Sequence, residues 1–306
     1  MPEPESSGPW SIESAIVNEL VKHAGMTPGR ALKIIERKIQ HLYFNNKNLL
    51  NRRLAESLNW PRYSDGTPIF RAAPINNKNM VIPAHLNNEL IVPLVADALE
   101  ADTNMVIELG CGYGRHLFAL RDLVEHDYPQ IRYFGCDFSE VGLETGRRLA
   151  SMEPNRSSIT FHKFDFLNPS FDYLPPVRKV LFFTCHAIEQ VHEIEPTLIF
   201  AMRDTAEFVR AIHAEPVGWQ LIPEITASAR YGVLSGTKLK YELGGEIDNA
   251  WAASVPISLY WNKNLVSILK ELSEKGAITL ENVYLNACGN DMHNPSTLMS
   301  WRKRGS

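Results

Sequence analysis

Three glycines at alternate positions, Gly110, Gly112 and Gly114, punctuate the run VIELGCGYGRHLFAL, residues 106 to 120. An apolar stretch that enters a glycine-rich turn and then a helical pattern reads as strand, turn and helix. Glycine permits positive φ and removes the Cβ, so the backbone of such a turn can approach a ligand closely at a helix N-terminus. The spacing is G-x-G-x-G, where a dinucleotide binder carries G-x-G-x-x-G. Glu108 stands two residues before the first glycine. That carboxylate would repel a pyrophosphate and welcome a cationic amino-acid ligand.

Two more carboxylates follow at the ends of apolar runs. IRYFGCDFSEVGL places Asp137 and then Phe138 after a second strand, and FHKFDFLNP places Asp165 and Phe166 after a third. Any one of these acids could simply cap a turn. Three at the carboxyl ends of consecutive strands coincide with the edge where open α/β sheets bind ligands. The fourth run, KVLFFTCHAIEQVHEIEP, carries a different chemistry. If Cys185 to Glu193 is helical, His186, Glu189, Gln190 and Glu193 share one face by the i, i+3, i+4, i+7 rule. His186 is then a candidate general base, with Glu189 fixing its tautomer and raising its basicity. His186, Glu189, His192, Glu193 and Glu195 also form a dense set of possible metal ligands. On a regular helix, though, His192 would project about 120° away from His186, so no metal is expected.

These groups need a scaffold, and the hydrophobic pattern supplies one. Short apolar strands alternate with helix-length segments from residue 105 onward, the pattern of a parallel sheet covered on both faces. Strands are expected at Met105 to Leu109, Ile131 to Cys136, Ile159 to Phe164, Lys179 to Phe183, Gly218 to Ile222, Ala277 to Asn286 and Thr297 to Trp301. The last two should form a hairpin around CGNDMHNP, giving the sheet one antiparallel member. Before this region, Ile12, Ile16 and Leu20, then Leu32, Ile35, Ile39 and Leu42, recur at helical spacing. From Asn59 to Pro93 prolines and asparagines dominate, which predicts a long connection or lid. A helix from about Asn88 to Leu99 should lead into the first strand. A stretch rich in Tyr, Gly and Trp from Thr226 to Trp261 reads as an insertion.

Together these elements resemble the class I S-adenosylmethionine-dependent methyltransferases over roughly residues 100 to 225. The resemblance implies a Rossmann-like, seven-stranded, mainly parallel sheet in residues 101–306, with the insertion at about 226–261 and an N-terminal helical and lid region in residues 1–100. It implies S-adenosyl-L-methionine as cofactor. Glu108, Gly110, Gly112 and Gly114 would then support the methionine part, Asp137 the ribose hydroxyls, and Phe138, Asp165 and Phe166 the adenine, with Thr184 completing the set. The tail NPSTLMSW and the stretch HAIEQ resemble sugar O-methyltransferases and related natural-product methyltransferases, some of which methylate indole carbon. This second resemblance implies a small-molecule acceptor. O-methylation of a sugar or similar hydroxyl is favoured, and C- or N-methylation of an indole-type substrate is the alternative. Tyr63, Arg71, His85, Tyr231, Tyr241 and Trp251 are the candidate substrate contacts, and the N-terminal helices are a candidate homodimer surface.

Bulk composition narrows the remaining classes. The chain has 306 residues, 44% hydrophobic and 22% charged, which fits a globular protein and no disulfide scaffold or disordered tract. A formal net charge of -4 offers no basic footprint for a phosphate backbone, so a nucleic-acid partner is not expected. Neither a membrane-length apolar run nor a basic, then apolar, leader is present, and cytoplasmic residence is the expectation. Cys111, Cys136, Cys185 and Cys288 are scattered without a C-x-x-C pair and read as buried, inert thiols.

Overall fold

The computed structural model describes residues 10–46, 49–86, 90–153, 159–225, 243–258, 261–289 and 294–305. Helices α1 (Ser11–Leu20), α2 (Pro28–Asn46) and α3 (Leu49–Ser57) come first, as their periodicity predicts. A two-stranded hairpin follows, β1 (Phe70–Ile75) and β2 (Lys78–Pro83), inside the stretch expected to be irregular. Its turn residues Asn76 and Asn77 have φ of 48° and 60°, the left-handed pair that a two-residue hairpin turn requires. Asparagine tolerates that conformation, so the polar residues that suggested a loop build the turn. The Asn76 and Asn77 N–H groups donate to the carbonyls of Ala287 and Asn286 at 2.8 and 2.9 Å. The hairpin is thereby tied to the far end of the chain.

After α4 (Ile91–Asp97) the alternating pattern begins: β3 (Met105–Leu109), α5 (Arg115–Val124), β4 (Arg132–Asp137), α6 (Glu140–Ser151), β5 (Ile159–Lys163), β6 (Lys179–Cys185), α7 (Pro196–Arg203), β7 (Phe208–Glu215), α8 (Asn249–Ser258), α9 (Leu265–Glu274), β8 (Ile278–Gly289) and β9 (Pro295–Lys303). Strands β3 to β9 form one seven-stranded sheet in the order β5-β4-β3-β6-β7-β9-β8. Strands β3 to β7 pair in parallel, and β9 runs antiparallel to both β7 and β8. This is the mainly parallel α/β sheet that the sequence predicts. Among the described residues, no helix is long and apolar enough to cross a membrane.

The fifth strand lies elsewhere than expected. Gly218–Leu221 is a single 3-10 turn, and the strand is Phe208–Glu215. Its sequence FVRAIHAE alternates poorly because His213 and Glu215, both fully buried, sit where a plain core strand would carry apolar side chains.

Side chains of successive strand residues point to opposite faces. Met105, Ile107, Leu109, Val180 and Phe182 therefore join one core with α7 and α9, while Val106, Leu181 and Phe183 join the other. That second core also contains Val17 of α1 and Ala31 and Ile35 of α2, packed with Leu117, Leu120 and Leu143 of α5 and α6. The N-terminal helices are thus structural cover for the sheet. Ile35 is 0% exposed, so Ile35→Ala should cost about 2–5 kcal/mol of stability through lost burial and a cavity. Urea unfolding would read this directly, and an unchanged midpoint would show that α2 does not pack on the sheet.

Candidate functional site

The glycine turn sits at the carboxyl end of β3. Gly110, Gly112 and Gly114 have φ of 75°, 55° and 77°. A Cβ on Gly110 would lie 2.2 Å from the Cβ of Ala187, so the turn and the segment after β6 touch at a point where only glycine fits. At Gly112 the space is taken by the Trp10 indole, which also packs edge-on against Tyr113. The turn is tied to β4 by the Gly110 and Cys111 N–H groups, both donating to the Cys136 carbonyl.

Glu108 precedes the turn and is 1% exposed. By strand alternation it shares the face of Val106, towards α5, where it meets His116 at 2.7 Å through Oε1 and Nδ1. Arg115 Nε–H donates to His116 Nε2 at 3.2 Å. An arginine only donates, so His116 Nε2 must accept, and the ring proton sits on Nδ1, facing Glu108. The second oxygen, Oε2, is buried with no hydrogen-bond partner. Burial pushes the Glu108 carboxyl well above its usual range, with Arg115 opposing and Asp137 adding to the rise. A ligand cation at Oε2 would satisfy the orphan oxygen and restore the charge.

Asp137 ends β4 and folds back onto the turn. Its Oδ2 accepts from Gly112 N–H and its Oδ1 from Ser139 N–H, both at 2.7 Å. Burial raises its pKa, while those N–H groups and that of Phe138 pull the other way. Phe138 itself is 66% exposed, an apolar ring left in solvent beside a polar loop. Phe166 lies within 3.7 Å of the position a Cβ would take on Gly110, so it too borders the turn. Asp165 closes a local turn, accepting from Leu167 N–H at 2.9 Å and from Asn168 Nδ2 at 3.0 Å, and those donors hold its carboxyl below the usual range.

The segment after β6 differs from the expected helix. His186 adopts φ 53° and is followed by one 3-10 turn, Ile188–Gln190. His186 and Glu189 still meet, with Nδ1 and Oε2 3.1 Å apart, but Glu193 leaves for an exposed pair with Lys263. The cause is Glu215, at the end of β7. Its carboxylate accepts the N–H groups of Ala187, Ile188 and Glu189 at 3.0–3.3 Å, which an α-helix would have left pointing along its own axis. On the other side of the ring, His186 Nε2 lies 2.7 Å from Ser296 Oγ, while Asn294 Nδ2 shares the Glu189 side, 3.1 Å from Nδ1. Burial lowers the His186 pKa, and Glu189 together with Glu215 outweighs it, so the net shift is upward.

Thr184 is fully buried inside the sheet, where its hydroxyl is 3.0 Å from His213 Nδ1. Its side chain lies on the α7 and α9 face of the sheet, opposite to that of Glu108. Glu215, Ser296, Asn294, Arg115 and His116 are site residues that sequence reasoning missed. Only His116 and Arg115, next to the glycine turn, carried a positional signal.

A small cavity lies between α4, α5 and the ends of β6, β7, β8 and β9. Arg115, His116, Cys185, His186 and Ser296 line it, with Leu90 and Ile91 among its apolar walls. Tyr63 and Arg71 are not among its lining residues, and Tyr63 instead stacks under the Arg37 guanidinium. Tyr231 and Tyr241 lie outside the described residues, as do the side chains of His85 and Trp251. Among the described residues, no three His, Cys, Asp or Glu side chains converge as a metal site. Cys111, Cys136 and Cys288 are buried, and burial pushes all three thiols up.

No known protein-family profile matches the chain. One curated protein, the tRNA N(3)-methylcytidine methyltransferase Mettl2 of Drosophila melanogaster, is 33% identical over 69 residues, 22% of this chain. The match spans about a fifth (21%) of that protein's length. Among solved structures, a geranyl diphosphate methyltransferase in complex with GPP and sinefungin aligns with a TM-score of 0.45 and 11% identity, over 87% of this chain and 98% of that one. The mitomycin 7-O-methyltransferase MmcR aligns with a TM-score of 0.42 and 11% identity, over 97% of this chain and 69% of that one.

Burial pulls the pKa of His213 down from 6.5 to about 4. The folded state therefore prefers the neutral ring. That preference contributes stability in full above pH 6.5, and the contribution is lost as the pH falls through about 4. The difference is worth about 3 kcal/mol. Urea unfolding at pH 7 and pH 4 should show a smaller acid loss for His213→Gln than for the parent chain. Equal losses would mean that His213 is not held neutral.

Proposed function

We propose that this protein transfers a methyl group from S-adenosylmethionine to a small-molecule acceptor that gives up a proton. One observation carries the reading. Glu108 is a buried carboxylate with an unsatisfied oxygen beside a positive-φ glycine turn, a demand that the α-ammonium of an amino-acid cofactor meets and a nucleotide phosphate does not. The exposed Phe138 ring and the neighbouring Phe166 give the adenine an apolar surface, and Asp137 retains acceptor capacity for the ribose hydroxyls. When bound, the cofactor supplies a sulfonium that is already an activated methyl donor.

The chain's own residues then have two tasks. The small cavity beside His186 marks the approach of the acceptor's reacting group. His186 is the group placed to take the acceptor's proton, with the Ser296 hydroxyl 2.7 Å from its Nε2. Glu189, at Nδ1, stabilises the imidazolium that results. A hydroxyl of a sugar or a similar small molecule suits this arrangement, because its proton must be removed as the methyl arrives.

Asp137→Ala should weaken S-adenosylmethionine binding by about 1–3 kcal/mol, the cost of losing charge-assisted hydrogen bonds. Calorimetric titration measures the binding. Incubation with a methyl-deuterated donor and a panel of sugars and indoles, read by mass spectrometry, measures the transfer. A folded variant with unchanged donor affinity would remove Asp137 from the site, and failure of any panel member to gain label would count against this acceptor class.

A further inference from the structure

Glu215 does not line the cavity, yet the geometry of the cavity depends on it. His213, Glu215 and Trp301 share the α7 and α9 face of the sheet, and so does Thr184, which pairs with His213 across β6 and β7. Trp301 Nε1–H donates to His213 Nε2 at 2.9 Å. An indole N–H can only donate, so Nε2 must accept and the single ring proton of neutral His213 sits on Nδ1. Nδ1–H then donates to Thr184 Oγ1 at 3.0 Å. The Thr184 hydroxyl proton is left to turn towards Glu215, its diagonal neighbour on the same face of β7. The steps from Trp301 to His213 and from His213 to Thr184 each have one possible direction, and beyond them lies a carboxylate that accepts from Ala187, Ile188 and Glu189.

We propose that Glu215 is the positioning residue for the His186–Glu189 pair, and that Trp301, His213 and Thr184, hydrogen-bonded in one direction across a single face of the sheet, turn the Thr184 hydroxyl towards its carboxylate and help to hold it in place. His186 sits in the left-handed region, which a non-glycine residue occupies only when its surroundings over-determine it. The surroundings are visible. Its own N–H stays in the ladder with the Ala214 carbonyl at 3.1 Å, and the next three N–H groups are gathered by Glu215. Successive N–H groups converging on one anion are a stable backbone arrangement. Released from Glu215, the segment would lose the reason for the left-handed turn, and Ala187 would shift against Gly110.

The charged and polar groups facing His186 are Glu189 on its own segment, Glu215 from β7, Arg115 from α5, and Ser296 and Asn294 from the β9 side. Glu189 and Glu215 raise its pKa, while burial and Arg115 lower it. Removing the Glu215 charge should therefore move the His186 titration to lower pH.

The role assigned to Glu215 rests on His186 being the base of the proposed transfer, but its test needs neither donor nor acceptor. Histidine-labelled protein is titrated by NMR, and amide exchange is followed at Ala187, Ile188 and Glu189. Thr184→Val removes the hydroxyl at nearly constant shape, and Thr184→Ser keeps it. Thr184→Val and Glu215→Gln should lower the His186 pKa and speed exchange of the three amides by about tenfold, the equivalent of a lost hydrogen bond. Thr184→Ser should restore both to near the parent values. If Glu215→Gln does not fold, the threonine pair still decides the matter. An unchanged His186 titration in Thr184→Val, or equal effects of valine and serine, would overturn the proposal. Because no methyl transfer is measured, this outcome and that of the labelled-donor experiment stand apart.

Discussion

Buried backbone N–H groups must find acceptors, and at the end of β6 three in succession find the same one. Glu215 receives the N–H groups of Ala187, Ile188 and Glu189. Leaving a buried donor unsatisfied costs about 1–3 kcal/mol each, so this one carboxylate decides whether the chain can leave the strand through a left-handed His186. From that turn follow the contact of Ala187 with the glycine turn, the 3.1 Å approach of His186 to Glu189 and the 2.7 Å approach to Ser296.

Two short hydrogen-bond relays organise the site from opposite faces of the sheet. On the α5 face, Arg115 fixes the tautomer of His116, which fixes one oxygen of Glu108 and leaves the other open. On the α7 and α9 face, Trp301 fixes His213, which fixes Thr184 and leaves the hydroxyl proton of Thr184 to turn towards Glu215. Each begins with a group that can only donate, so neither histidine has a choice of tautomer. The first relay prepares a binding demand at the glycine turn. The second prepares the geometry of His186, the proposed base. Preorganisation of this kind places charge and lone pairs before any ligand arrives.

Legibility in the sequence followed the same division. The glycine turn and its three acids were readable because local spacing carries them: Glu108 and Asp137 end strands β3 and β4 as expected, and Gly110, Gly112 and Gly114 all take positive φ. The mainly parallel sheet was readable from its apolar strands. Strand β7 was not, because the buried His213 and Glu215 break the apolar pattern that marks a strand. The residues that hid the strand are those that serve the site, as is expected where local rules are overridden for a purpose. The expected helix after Cys185 failed for the same reason, since the acceptor that untwists it lies 26 residues further along the chain from Glu189. The hairpin β1–β2 was hidden by its own asparagine turn.

On the reading proposed for this protein, the glycine turn with Glu108 is built for a cationic amino-acid cofactor. Calorimetric titration of the parent chain and of Glu108→Gln with S-adenosylhomocysteine, and in parallel with NAD⁺, tests it most directly. The expected result is binding of S-adenosylhomocysteine by the parent chain, weakened about tenfold or more in Glu108→Gln through loss of the charge-assisted bond, and no heat from NAD⁺. Binding of NAD⁺, or equal affinity of the parent chain and Glu108→Gln for S-adenosylhomocysteine, would contradict it.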